Sequence, residues 1–394
     1  MTKREPSLPA LLALVVAART VLNTARRFPY TFAPALARAF GVEVSAIAIM
    51  LGAVQGVSLL SPLFGSLGDR FGYRKMMVTG LTLLFPLTLL AFSLPFYMLF
   101  ILAVTASVGK ALFDPSIQAY IGHRLPPERH GLGMGIIELA WSAATFLGVP
   151  VIGYLMEWWD YRAPFVALGV AGLIFALLLH GRMPVVNEEK EDIERPSLVS
   201  ILTLIAGNPA TKWALGVGFF ISMANDGLFV VYGGYLEDSF GLVLSALGLA
   251  TIAIGASEAA GEGATALFAD KIGLRRALGL GCFSSAAAYF LLPFLSSSLY
   301  ASLFGLAFIF LTFEFSVVVS FSLFIGLLPR ARGTFIASYI AAMGLGRVVG
   351  APLASLIWER GGMVPVTALC ISSALIAVLC YWRLLVNWPA QATE

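Results

Sequence analysis

Apolar residues run along this chain in stretches of twenty or more, broken by short polar segments. The pattern recurs at roughly 9–37, 45–67, 76–95, 97–122, 132–156, 162–182, 212–236, 244–268, 276–295, 298–327, 334–358 and 363–386. A helix rises about 1.5 Å per residue, so ~20 apolar residues cross the ~30 Å hydrocarbon core of a bilayer. The pattern predicts an all-α polytopic membrane protein with twelve transmembrane helices. Composition agrees: 59% of the residues are hydrophobic and 12% charged, against about 25% charged in a soluble domain. Water cannot be the solvent for this surface.

The net charge of +3 is small, and only its distribution informs. Seventeen Lys and Arg fall in the tails and alternate loops on one side of the predicted spans, and three (Arg38, Arg162, Arg360) fall on the other. Basic loops stay in the cytoplasm, so both termini are expected there, with the chain in the inner (plasma) membrane.

One long polar stretch, "VVNEEKEDIERPS" at 185–197, has the charge density of a solvated linker. It divides the chain into an N-terminal six-helix bundle (1–183), a cytoplasmic linker (184–210) and a C-terminal six-helix bundle (211–394). The halves repeat at an offset of about 200. "LARAFGVEVSAI" (36–47) lies over "LEDSFGLVLSAL" (236–247), and "DRFGYRK" (69–75) over "DKIGLRR" (270–276). "FDPS" (113–116) lies over "FEFS" (313–316), and Gly148/Pro150 over Gly350/Pro352. Duplicated halves are the arrangement of carriers that bind substrate near the bilayer midplane.

"GSLGDRFGYRK" (65–75) resembles the loop motif of the major facilitator superfamily, through Gly65, Leu67, Asp69, Arg70, Gly72 and Arg74. Tyr73 stands where a basic residue is usual. Asp270, Lys271, Gly273, Arg275 and Arg276 resemble its second copy. With twelve spans and the linker, the resemblance covers the whole chain and is closest to bacterial drug and sugar efflux permeases. It implies a latch that holds the halves together on the cytoplasmic side, carried by Gly65, Asp69, Arg70, Gly72, Arg74, Asp270, Gly273 and Arg275. "FLGVPVIGYL" (146–155) resembles that family's antiporter motif, with Gly148, Pro150 and Gly153 kept and Val149 separating Gly from Pro.

Eleven ionisable residues fall inside the predicted spans: Arg19, Arg26, Arg27, Lys110, Asp114, Glu138, Asp226, Glu258, Glu262, Glu314 and Arg347. Each costs ~2.5–3.5 kcal/mol or more facing lipid, so they are expected to face protein or a wet cavity. Arg19, Asn23, Arg26 and Tyr30 share one stripe of the first span, and Lys110 and Asp114 form an i,i+4 pair. The resemblance implies that spans one, four, seven and ten line the substrate cavity. That makes Arg19, Asn23, Arg26, Tyr30, Lys110, Asp114, Asp226 and Glu314 its candidate residues. Asp226, Glu258, Glu262 and Glu314 are the candidates for proton coupling, because carboxylates held in a low dielectric can exchange protons near neutral pH. Glu138 and Arg347 are expected in an ion-pair network.

The reading is a secondary active transporter that moves a small organic solute by alternating access, as proton-coupled efflux. Alternatives are proton-coupled uptake of an organic anion or sugar, and a flippase-like carrier of lysolipids or other amphiphiles. A membrane enzyme fits least: the sequence shows no nucleophile, metal or cofactor constellation. Expected partners are the small-molecule substrate, protons and the lipid bilayer. No nucleic acid, no cofactor and no metal are expected, and the chain is expected to be a monomer. The three cysteines, Cys282, Cys370 and Cys380, lie in apolar runs and read as small hydrophobes.

Overall fold

The computed structural model describes residues 8–60, 64, 67–68, 70–124, 130–184, 207–324, 327 and 332–388. Every regular element among them is helical. Eleven helices are long and apolar enough to cross a membrane, and a twelfth span follows if the bent pair Ala33–Phe40 and Val44–Leu60 counts as one. Gly65, Asp69 and the polar linker over 185–206 lie outside the described residues.

The first apolar run is interrupted. Helix α1 (Leu8–Thr31) stops before Phe32, and a short helix α2 (Ala33–Phe40) follows with Pro34 in its first turn. A proline there lacks only an N–H that a helix start leaves unpaired anyway. Gly41 ends α2 in the left-handed conformation, φ 64° and ψ 36°, and its N–H returns to Ala37 and Arg38. Helix α3 (Val44–Gly56) then sets off at 114° to α2 and tightens into a 3-10 turn over Val57–Leu60.

The third run is helix α4 (Tyr73–Thr82) continued by a 3-10 stretch at Phe85–Ala91, where Pro86 removes a donor. Helix α5 (Phe96–Arg124) is continuous. The fifth run is helix α6 (His130–Ala143), a π turn at Ala144–Gly148 and helix α7 (Val149–Trp158). The π turn lies just ahead of Pro150, whose missing N–H leaves a carbonyl of the preceding turn without its helical donor. Helix α8 (Ala163–Arg182) completes this set. The second set comprises α9 (Pro209–Phe240), α10 (Leu244–Ile272), α11 (Leu274–Leu291), α12 (Leu299–Phe324), α13 (Arg332–Gly361) and α14 (Met363–Val386).

Backbone geometry carries the internal repeat. Gly241 ends α9 at φ 64°, ψ 30°, as Gly41 ends α2. Gly72 precedes α4 at φ 92°, ψ 132°, and Gly273 precedes α11 at φ 88°, ψ 126°. Side chains with a Cβ rarely adopt this left-handed region. The two motif copies therefore need their glycines for the same backbone reason.

The chain divides into two compact units, and neither follows one stretch of sequence. The first comprises Met1–Glu43, Gly56–Glu191 and Val243–Ile252; the second comprises Val44–Gln55, Asp192–Leu242 and Ala253–Glu394. In the first unit, α4 and α5 approach closely at Gly80 and Gly109, where a Cβ on Gly80 would stand 2.3 Å from the Gly109 carbonyl oxygen. The visiting segment of α10 starts with the Ser245 N–H on Glu157 Oε2 (2.7 Å), and Thr251 Oγ1 donates to the Thr145 carbonyl in the π turn at 3.3 Å. In the second unit, the visiting segment of α3 starts with the Ser45 N–H on Glu359 Oε1 at 2.6 Å. Its core packs Phe324, Phe335 and Tyr339, with ring centroids 4.9 Å apart between Phe324 and Tyr339. The Tyr339 hydroxyl is hydrogen-bonded to Ser320 Oγ at 2.7 Å.

Candidate functional site

The first unit gathers charges from three helices. Arg19, on α1 and 5% exposed, donates from Nε to Asp114 Oδ1 at 3.0 Å and from Nη1 to the Ile137 carbonyl at 2.8 Å. The same Nη1 lies 3.0 Å from Glu138 Oε2. Lys110 Nζ donates to Asp114 Oδ2 and to Asn23 Oδ1, both at 2.6 Å. One buried network thus ties α1 to α5 and α6. Removing one partner from such a pair strands a charge, at a cost of about 3–5 kcal/mol.

Arg26 is half-buried and acts electrostatically on Lys110. Arg27 is buried, with its guanidinium 4.4 Å from the Trp141 ring centroid of α6. Tyr30, on the same predicted stripe as Arg19, is fully buried. Beside this network Gly148 lies so close to Thr24 that a Cβ there would overlap its side chain.

The second unit carries the opposite balance. Of the residues expected inside its spans, Asp226, Glu258, Glu262 and Glu314 are acids and only Arg347 is a base. Arg347 Nε on α13 lies 3.3 Å from Asp226 Oδ2 on α9. Asp226 and Glu258 are buried, while Glu262 on α10 and Glu314 on α12 are half-buried. Ser222, Asn225, Ser285, Tyr289 and Ser355 of this unit are also buried.

The described motif residues make tethers within their own units. Arg74 Nη2 donates to the His180 carbonyl at 2.5 Å, fixing the start of α4 to the end of α8. The Arg70 guanidinium lies over Phe71 at 5.2 Å. In the second copy, Arg275 lies over Trp388 at 4.5 Å, and its carbonyl accepts a hydrogen bond from the Tyr381 hydroxyl at 2.9 Å. Asp270 is exposed at the end of α10.

Sequence reasoning missed four participants: the Ile137 carbonyl, Trp141, and the two capping glutamates, Glu157 and Glu359. Carbonyls carry no sequence signal. The two glutamates did carry one, since they stand at the same spacing of 202 as Gly148 and Gly350.

Apolar helices in two repeated sets, each burying ion-paired side chains within it, define a multispan membrane transporter. The family follows from comparison with known proteins. The model of the Major Facilitator Superfamily matches residues 15–325, and the chain belongs to that superfamily. An MFS-type transporter of Bacillus subtilis (strain 168), YceJ, is 29% identical over 77% of this chain and 77% of its own. The multi-drug resistance efflux pump PmrA of Streptococcus pneumoniae is 26% identical over 70% of this chain and 72% of its own. A bacterial homologue of the human lysosomal transporter Spinster, solved inward-facing and occupied, superposes with a TM-score of 0.73. It is 14% identical and covers 98% of both chains, a likeness of fold.

Proposed function

We propose that this protein is a proton-coupled efflux carrier: it expels small organic solutes from the cytoplasm in exchange for protons, by alternating access. The observation that carries the reading is the contact between buried Asp226 and Arg347 at 3.3 Å, which joins a carboxylate of α9 to a guanidinium of α13. A buried carboxylate parted from its cation is expensive, and taking up a proton relieves the cost. A cycle in which Asp226 is released from Arg347 and protonated couples proton entry to a change in the network. The similarity to a multidrug efflux pump supports the outward direction. The termini and the linker are assigned to the cytoplasm and the chain to the inner membrane by its basic loops. The motif at 65–75 is assigned the latch, and Arg19, Asn23, Arg26, Lys110 and Asp114 the substrate contacts.

The test uses everted membrane vesicles energised to an acidic interior and reported by a pH-quenched acridine dye. Adding a transported solute from a panel of drugs and organic acids should restore fluorescence, and Asp226→Asn should abolish the recovery while the protein remains folded. Solute movement that ignores the pH gradient and ionophores would overturn proton coupling. Solute movement in the same direction as the protons would make the carrier an uptake symporter.

A further inference from the structure

A cavity of about 610 Å³ opens within the second unit where four spans meet their ends. Ile272 closes α10, Arg275 and Arg276 lie in the first turn of α11, Leu323 lies in the last turn of α12, and Trp388 follows α14. The Arg275 guanidinium stands 4.5 Å from the Trp388 ring centroid. Stacking on a ring face holds the guanidinium in place and leaves its N–H fork to donate elsewhere. Neither arginine side chain has a hydrogen bond or an ion pair among the described residues. The equivalent Arg74 of the first unit, by contrast, donates to the His180 carbonyl.

The charge around the cavity has one sign. The first turn of α11 contains no acid. Over 268–276 and 381–388 the sequence places Lys271, Arg275, Arg276 and Arg383 against Asp270 alone. Asp270 is exposed and makes no ion pair among the described residues. Two guanidinium groups beside one cavity, with no carboxylate to neutralise them, favour an anion, and the fork of a guanidinium matches a phosphate.

The apolar surface indicates what carries the anion. Arg276, Leu280 and Phe283 fall at i, i+4 and i+7, on one face of α11. Leu280 and Phe283 are 56% and 59% exposed, and their helix is long and apolar enough to cross a membrane. Hydrocarbon is therefore the solvent of that face. A phosphate bound at the head of such a stripe has room for an acyl chain beside it, as a free phosphate does not need.

We propose that Arg275 and Arg276 form a headgroup site for an anionic phospholipid in the second unit. The phosphate accepts from the two guanidinium groups, Trp388 positions Arg275, and an acyl chain lies along Leu280 and Phe283. Basic pockets at the ends of spans recognise anionic headgroups by this chemistry, and the basic loops put these ends in the cytoplasmic leaflet. Such a site holds whatever solute the carrier moves and whether or not protons drive it.

Native mass spectrometry of the full-length chain in detergent micelles tests the site. The chain is titrated with dioleoyl phosphatidylglycerol or with phosphatidylcholine of the same acyl chains. Phosphatidylglycerol should bind at least fivefold more tightly, and Arg276→Gln should weaken it about fivefold, the effect of one basic residue at an anionic surface. Lys271→Gln removes a cation from the same loop but not from the cavity, and should change little. Should Arg276→Gln not fold, Arg275→Gln takes its place with the same expected loss. Equal binding of the two lipids, or unchanged phosphatidylglycerol binding in the arginine variant, would overturn the site. An equal loss in Lys271→Gln would reduce the preference to general surface charge and would also overturn it. Displacement of the lipid by equimolar glycerol 1-phosphate would make this a site for a soluble phosphate and defeat the lipid assignment.

Discussion

The N–H of Ser45 and the carboxylate of Glu359 meet at 2.6 Å, 314 positions apart in the chain. Helix starts leave unpaired N–H groups and a partial positive charge, and here a glutamate from the far end of α13 supplies both acceptor and countercharge. Glu157 does the same for Ser245 at the start of α10. Each cap lies within one unit and joins segments from opposite halves of the sequence.

Glu359→Ala should therefore loosen the first turn of α3 and leave the rest of the second unit in place. Hydrogen exchange at residues 45–48 should speed up by about fivefold, the value of a typical lost cap. Unchanged protection there would mean that the contact contributes nothing.

Gly80→Ala should be poorly tolerated. Its Cβ would stand 2.3 Å from the Gly109 carbonyl oxygen, and backbone cannot swing aside as a side chain can. Overpacking of this kind costs about 1–3 kcal/mol. A thermal midpoint for the purified variant within a degree of the parent would contradict the close approach of α4 and α5.

Lys110→Met should destabilise the first unit more than a surface change, by about 3 kcal/mol, because Asn23 Oδ1 loses its donor and Asp114 one of its two cations. Adding Asp114→Asn should recover part of the loss, since a neutral amide no longer needs the ammonium. A double-mutant cycle of unfolding midpoints checks this, and strict additivity would deny the coupling.

Gly72→Ala and Gly273→Ala should each cost about 1–3 kcal/mol through backbone strain, as both glycines sit at a φ near +90°. The Cβ meets no atom within 4 Å at either site, so strain alone is at stake. Equal losses in the two variants, read from thermal unfolding, would reflect the same turn in both halves. No loss in either would show that the turn relaxes.

The helices, their number and the duplication were legible in the sequence because their causes are local. An apolar run must cover its own backbone polar groups in a bilayer, so α5, α8, α12 and α14 fall where the runs fall. The Lys110–Asp114 pair was legible for the same reason, since four residues on one helix place two side chains together whatever surrounds them. Breaks fall beside Pro34, Pro86 and Pro150 with a different local form at each, a new helix, a 3-10 stretch and a π turn, whereas Pro115 and Pro352 lie inside unbroken helices, so proline alone does not place a break. Other relationships depend on how a helix is rotated and which neighbour it meets. Arg19 could have faced any of several acids, and packing of α1 against α5 and α6 chose Asp114 and Glu138. Arg347 could have met Glu258 or Glu314, and the packing of α13 on α9 put it on Asp226. The exchange of segments 44–55 and 243–252 between the units was equally invisible, because the residues that draw each segment across lie more than eighty positions away. Hydrophobicity decides what enters the membrane residue by residue, whereas buried charges choose their partners only once the helices have packed.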